Sequence, residues 1–257
     1  MAYVITNTKS TYCFGKYGNE PIDIHHEGNL IKLQVDRDIL MQHTFFRNCL
    51  DGGYKEAYEY IILRDTNPDF LLLIFFYLHC STQTNDKTPR LPENDVNRLC
   101  LYSAGYTHNP PPSNYYYLQS ISYKAARLSL YMELWHEGNF YGLDVFCEFM
   151  VRSTFQYLSA NNNIRLWQHA IVYWYSVDRA PGFGRLLAER ALKNGGFRES
   201  NEFDRCLCEM GFANHVVEVL KDKYSVRPVL GEEGADIVRR CQVDGQRPFG
   251  RKDFCLW

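Results

Sequence analysis

The run FLLLIFFYLHC, residues 70–80, constrains the fold of this chain more than any other stretch. It is apolar on every side, so a helix through it has no face to give to water. Crossing a bilayer takes roughly 20 such residues, about twice what the run provides. It is therefore expected to form a helix at the centre of a domain, covered by other elements all round.

The residues before it supply candidates for that cover. Ile22, Ile24 and His26 alternate with Asp23 and His25, Glu27-Gly28-Asn29 offers turn chemistry, and Ile31, Leu33 and Val35 alternate with Lys32, Gln34 and Asp36. This is the pattern of a β-hairpin with one face available for a core. Two short helical segments follow, residues 37–40 and 44–50, closed by Gly52-Gly53. A short apolar strand at 60–63 and a turn at Asp65-Thr66-Asn67-Pro68 lead into the apolar run. The order is strand, strand, helix, helix, strand, helix.

That order and several residues resemble the BTB/POZ domain. Its members commonly read Asp-hydrophobic-x-hydrophobic, a hairpin, then His-Arg/Lys-x-x-Leu, and DIHHEGNLIKLQVDRDIL puts Asp23 and Arg37 at those places. GGYKEA (52–57) resembles the Gly-Gly-Phe-x-Glu segment of the family. RLSLYMELWHEGNFYGLDVFCEFM (127–150) resembles its last helix pair, most closely that of the stand-alone BTB proteins of filamentous fungi. There are two departures: Asp36 stands where a His is usual, and Thr44-Phe45-Phe46 shifts the aromatic of Ser-x-x-Phe. The resemblance implies an α+β fold of the BTB/POZ type, a small β-sheet flanked by a helical cluster, with a C-terminal all-helical extension. It also implies self-association through the hairpin and first helices, with Ile22, Leu40, Phe45 and Phe46 flanking Asp23 and Arg37. The implied partners are a second copy, another BTB-like protein, or a cullin scaffold.

On this reading residues 1–21 are an N-terminal segment and 22–160 the BTB/POZ domain, with an insertion at about 81–121. Within the insertion, Val96, Leu99, Cys100 and Ala104 have the spacing of one amphipathic helix, and Pro110-Pro111-Pro112 ends it. Tyr123, Ala126, Leu130 and Leu134 mark the next helix, with a stop expected at Glu137-Gly138-Asn139; Leu143, Phe146, Cys147, Met150 and Val151 mark its partner. An alternative register takes 99–109 as the first helix of that pair.

A BACK-like extension, 161–224, shows four further helical patterns. Ile164, Trp167, Ile171 and Trp174 mark the first. Phe183, Leu187 and Ala191 mark the second, ending at Gly195-Gly196, and Phe203, Leu207 and Met210 the third, stopping at Gly211. Ala213, Val217, Leu220 and Tyr224 mark the last, and residues 225–257 read as a tail.

Composition narrows the function. A net charge of −2 with no dense Lys/Arg block argues against direct nucleic-acid binding. Nine scattered cysteines, mostly in apolar segments, fit reduced thiols in the cytoplasm or nucleus. The first twenty residues lack the apolar core of a signal peptide, and no membrane association is expected.

The local motifs with chemical potential fall short of sites. Glu133-x-x-His136 has di-iron spacing but no second copy, and reads as a solvated or hydrogen-bonded helix end. His25 and His26 point to opposite faces of a strand and cannot chelate together. Cys206-x-Cys208 lacks zinc or redox spacing, and its thiols diverge by about 200° on a helix, one to the core and one to the surface. Gly182-Phe183-Gly184 lacks the strand and third glycine of a nucleotide loop. No metal, cofactor or catalytic group is expected. The sequence points to a non-catalytic interaction and assembly protein, either an adaptor for a cullin-based ubiquitin ligase or a structural subunit of a nuclear or chromatin complex. Phe45-Phe46 and Tyr115-Tyr116-Tyr117 are the natural aromatic anchors.

Overall fold

A computed structural model of the chain describes residues 10–14, 21–26, 31–52, 60–63, 66–83, 90–104, 120–176, 181–198 and 200–224. The hairpin turn at 27–29, most of GGYKEA, the proline run 110–112, Tyr115-Tyr116-Tyr117 and the tail lie outside the described residues. The fold is α+β, and the chain divides into two compact units: residues 1–114 with 130–150, and 115–129 with 151–257.

The first unit holds a four-stranded mixed sheet in the order β1-β3-β2-β4. β2 (Pro21–His26) and β3 (Ile31–Asp36) form the expected antiparallel pair, with Ile22 opposite Val35 and Ile24 opposite Leu33. Their alternation buries Ile22, Ile24, Leu33 and Val35 on one face. β4 (Tyr60–Leu63) runs parallel to β2, adding Ile61 and Leu63 to that face and leaving Ile62 exposed at the sheet edge. β1 (Ser10–Phe14) runs parallel to β3. The sequence reading leaves that N-terminal segment out of the sheet. Five residues between polar stretches carry too little apolar pattern to announce a strand.

α1 (Arg37–Met41) follows β3 without a break. Asp36, the departure from the family pattern, caps it: its side chain accepts from the backbone N–H of Asp38 at 3.0 Å. α2 (Thr44–Asp51) packs beside α1.

α3 (Pro68–Gln83) is the central helix. Pro68 opens it, where its missing N–H costs nothing, and Asn67 accepts from the N–H of Asp69 at 2.9 Å. Phe70, Leu71, Leu73, Ile74, Phe75, Tyr77 and Leu78 are all at most 5% exposed. The sheet strands β1 and β3 lie against it, Phe46 of α2 meets Phe75, and Tyr77 packs on Phe146 and Phe149. Leu72 and Phe76, one turn apart, are half-buried, as are His79 and Cys80 further along; Leu72 and Phe76 look toward α4 (Glu93–Ser103), which buries Val96, Leu99 and Cys100. Among the described residues no helix is long and apolar enough to cross a membrane.

The helix pair is α5 (Ile121–Phe140) and α6 (Asp144–Asn161). The stop expected at Glu137-Gly138-Asn139 does not occur there. Gly138 is interior, and a Cβ on it would stand 2.7 Å from the Phe146 ring, so it serves close packing. Gly142, at φ 63°, makes the turn. Leu143 N–H reaches Gly138 O at 2.9 Å and Gly142 N–H reaches Asn139 O at 3.1 Å, a Schellman ending.

The second unit continues with α7 (Ile164–Tyr175), capped by Asn163, then α8 (Pro181–Lys193), α9 (Gly195–Arg198), α10 (Asn201–Cys206) and α11 (Met210–Tyr224). α8 ends at Lys193, close to the stop expected at Gly195-Gly196, and those glycines then open α9; the stop expected at Gly211 is corrected, since Gly211 lies in the first turn of α11. The reason for Gly211 is Tyr175: a Cβ at Gly211 would stand 2.7 Å from its ring, and one at Gly184 2.6 Å from its hydroxyl. Phe183 stacks on Phe155 and meets Trp174, while Trp167 stacks on Phe155 and Phe197, giving this unit an aromatic core.

Two stability outcomes follow from these packings. Leu73→Ala is expected to lower the unfolding free energy by about 2–5 kcal/mol, with Phe76→Ala costing less because its side chain is half-buried. Gly184→Ala is expected to lower the melting temperature of the second unit by displacing Tyr175. Gly196→Ala, whose nearest neighbour would be 3.9 Å away, should be neutral or stabilising. Denaturant titration of the four variants checks both.

Candidate functional site

The residues proposed from sequence differ in burial. Ile22, Leu40 and Phe46 are buried in the core of the first unit, at 2%, 0% and 0% exposure. Asp23 is half-buried on β2 and accepts from the Gln34 amide at 3.1 Å, its cross-strand neighbour. Arg37 is the half-buried first residue of α1. Phe45 is half-buried and belongs to an aromatic group. Its ring centroid lies 5.2 Å from Phe46, 5.0 Å from Tyr141 and 6.2 Å from Phe140.

Phe140 and Tyr141 have no role in the sequence reading, yet they complete that group. Tyr141 is 1% exposed and stacks on Phe46 at 5.7 Å. Phe140 ends α5 with 65% of its surface open, and Val145, just past the turn, is 64% open. They are the most exposed large apolar residues described. The signal that finds them is Gly142: a helix running to a left-handed glycine carries Phe140 in its last turn, whereas a stop at Gly138 leaves it in a loop.

Polar groups near this patch are arranged by burial. His43, before α2, is held below the usual histidine range by burial and then by Arg47, with Asp144 opposing. It is neutral at pH 7. Arg47 donates from Nε to the Met41 carbonyl at 2.9 Å. Behind the aromatic group, the hydroxyls of Thr66 and Tyr141 share a hydrogen bond, and Thr66 also bonds Glu137. Thr66 has one proton, so when Glu137 is ionised Thr66 donates to it and Tyr141 donates to Thr66. Burial lifts the Glu137 carboxyl to about 7, with the Glu133 charge adding and the Thr66 bond opposing. Burial likewise lifts the Tyr141 hydroxyl to about 12.

The remaining motifs are placed as follows. His25 meets the Tyr60 ring edge-on at 5.5 Å. Cys206 is buried and Cys208 exposed, the expected split, although Cys206 is the last residue of α10 and Cys208 lies beyond it rather than on the same helix; burial pushes the Cys206 thiol up to about 12. Gly182-Phe183-Gly184 lies in the first turn of α8, where Gly184 makes room for Tyr175. Nδ1 of His136 is buried without a hydrogen bond. Among the described residues no three His, Cys, Asp or Glu side chains group to hold a metal ion.

One cavity, about 120 Å³, lies between α3 and α4. Leu72, Leu73, Phe76, Pro92 and Leu99 form its apolar walls, with Asp69, Asp95 and Arg98 as the polar lining. Arg98 Nη2 is 3.2 Å from Asp69 and 3.6 Å from Asp95.

The raised Glu137 gives a pH dependence with a definite sign. Its carboxyl is protonated more readily folded, near 7, than unfolded, near 4.5, so its stabilising contribution is complete below about 4.5 and is lost as pH rises through 7. His43, His169 and His215 are lowered by burial and act in the opposite sense as pH rises past the ordinary histidine range. The difference between wild type and Glu137→Gln isolates the carboxyl. The variant is expected to be the more stable at pH 8 and to lose that advantage by pH 5, as read from melting temperature against pH.

No family model, curated protein or solved structure matches the chain.

Proposed function

We propose that this chain is a non-catalytic protein–protein interaction module of the BTB/POZ type, with residues 161–224 as its BACK-like helical extension. The order β2, β3, α1, α2, β4, α3 supports the family reading, being the order that the resemblance implies. So does the helix pair α5 and α6, which falls where the resemblance sets the last two helices of the domain.

The observation that carries the function is the exposed pair Phe140 and Val145 at the α5–α6 turn. A phenylalanine open to water loses the benefit of burial, and a partner surface restores it. Aromatic anchors dominate the energy of stable interfaces. Phe45 and Tyr141 lie against the Phe140 ring, which limits the side-chain freedom lost on docking. The partner is a second copy, another BTB-like protein, or a cullin scaffold that the chain would join to a substrate.

The test uses the full chain and a Phe140→Asp/Val145→Asp variant. Light scattering at micromolar concentration reports self-association, and affinity capture with mass spectrometry reports other partners. The variant is expected to bind about 30-fold or more weakly, at the level of one strong anchor lost, with an unchanged melting temperature because both side chains are exposed. Cullin recovery supports the adaptor role, and a stoichiometric complex without cullin supports the structural subunit. Undiminished association of the variant overturns the assignment of the surface.

A further inference from the structure

We propose that the cavity between α3 and α4 binds the side chain of a lysine from a partner protein. The fold leaves this space open beside Leu72 and Phe76, two half-buried residues of α3. Unfilled apolar space forfeits contacts that its lining would otherwise make. At about 120 Å³ it is somewhat smaller than an apolar cavity of about 150 Å³ that accepts benzene, so a chain of four carbons is a suitable fill.

The polar lining selects the end group. Nη2 of Arg98 serves both carboxylates, at 3.2 Å from Asp69 Oδ1 and 3.6 Å from Asp95 Oδ1. The lining thus carries one negative charge more than positive, and each carboxylate keeps a second oxygen to accept from a ligand. Asp69 and Asp95 stand in the first turns of α3 and α4, where helix ends favour carboxylates, which accounts for the acids but not for the space. An ammonium on a four-carbon stem meets both demands: the stem lies on the apolar walls and the three N–H donors reach the two free oxygens. Arg98, 58% exposed, can swing outward to admit it.

Titration of the full-length protein with Nα-acetyl-lysine amide, followed by the methyl NMR signals of Leu72, Leu73 and Leu99, tests this. Saturable shifts are expected, with binding ten- to a hundred-fold weaker for the norleucine analogue, which lacks the charge-assisted hydrogen bonds. Asp95→Asn is expected to weaken lysine binding about ten-fold without moving the melting temperature, because Asp95 is 53% exposed. The absence of saturable shifts, equal binding of the norleucine or arginine analogue, or an unaffected Asp95→Asn each overturns the proposal. Tighter binding of free lysine than of the capped form overturns the protein source. None of these outcomes depends on the Phe140 and Val145 surface.

Discussion

Desolvation of α3 on nearly every side is the constraint from which the first unit is built. Seven of its large side chains need cover, and one neighbouring element supplies only one face of it. The sheet takes one side through β1 and β3, α2 brings Phe46 to Phe75, and Phe146 and Phe149 close over Tyr77. Several elements of this unit are short or marginal by themselves: strands of four to six residues, and α1 and α2 of five and eight. Isolated pieces of that length do not hold their shape in water. They are stable because they share a common apolar partner.

How much of this the amino-acid sequence announces depends on whether the signal is local. The β2–β3 pair was legible because Ile22, Ile24, Leu33 and Val35 alternate over a length that no helix can match. α3 was legible from its uniform apolarity, and α4 from three apolar residues at helical spacing. β1 was not, because its place in the sheet comes from pairing with β3 rather than from its own pattern. Gly138 and Gly211 misled for a shared reason. Both looked like helix ends, yet each is a glycine because a ring from elsewhere, Phe146 or Tyr175, occupies the space of a side chain. Among the described glycines only Gly142 is needed for its backbone angle.

The candidate surface follows the same division. Phe45 and Phe46 were visible as an aromatic pair, but which of them faces the core depends on where α2 docks: Phe46 is fully buried and Phe45 is not. Phe140 was hidden by the misplaced stop at Gly138. The Tyr141–Thr66–Glu137 chain was beyond any local reading, since Thr66 and Tyr141 are 75 residues apart. Asp36 shows the converse, a departure from a family pattern that local physics explains, because an aspartate caps α1.

That separation of 75 residues has a consequence for the chain as it is made. Synthesis adds about 5–20 residues per second, so the residues that cover Tyr77 emerge about 4–15 s after α3 does. During that interval the most apolar of the described helices has only the sheet, α1, α2 and α4 to shield it. The nascent chain therefore presents a greasy segment for seconds, and the α5–α6 turn is the event that ends its exposure.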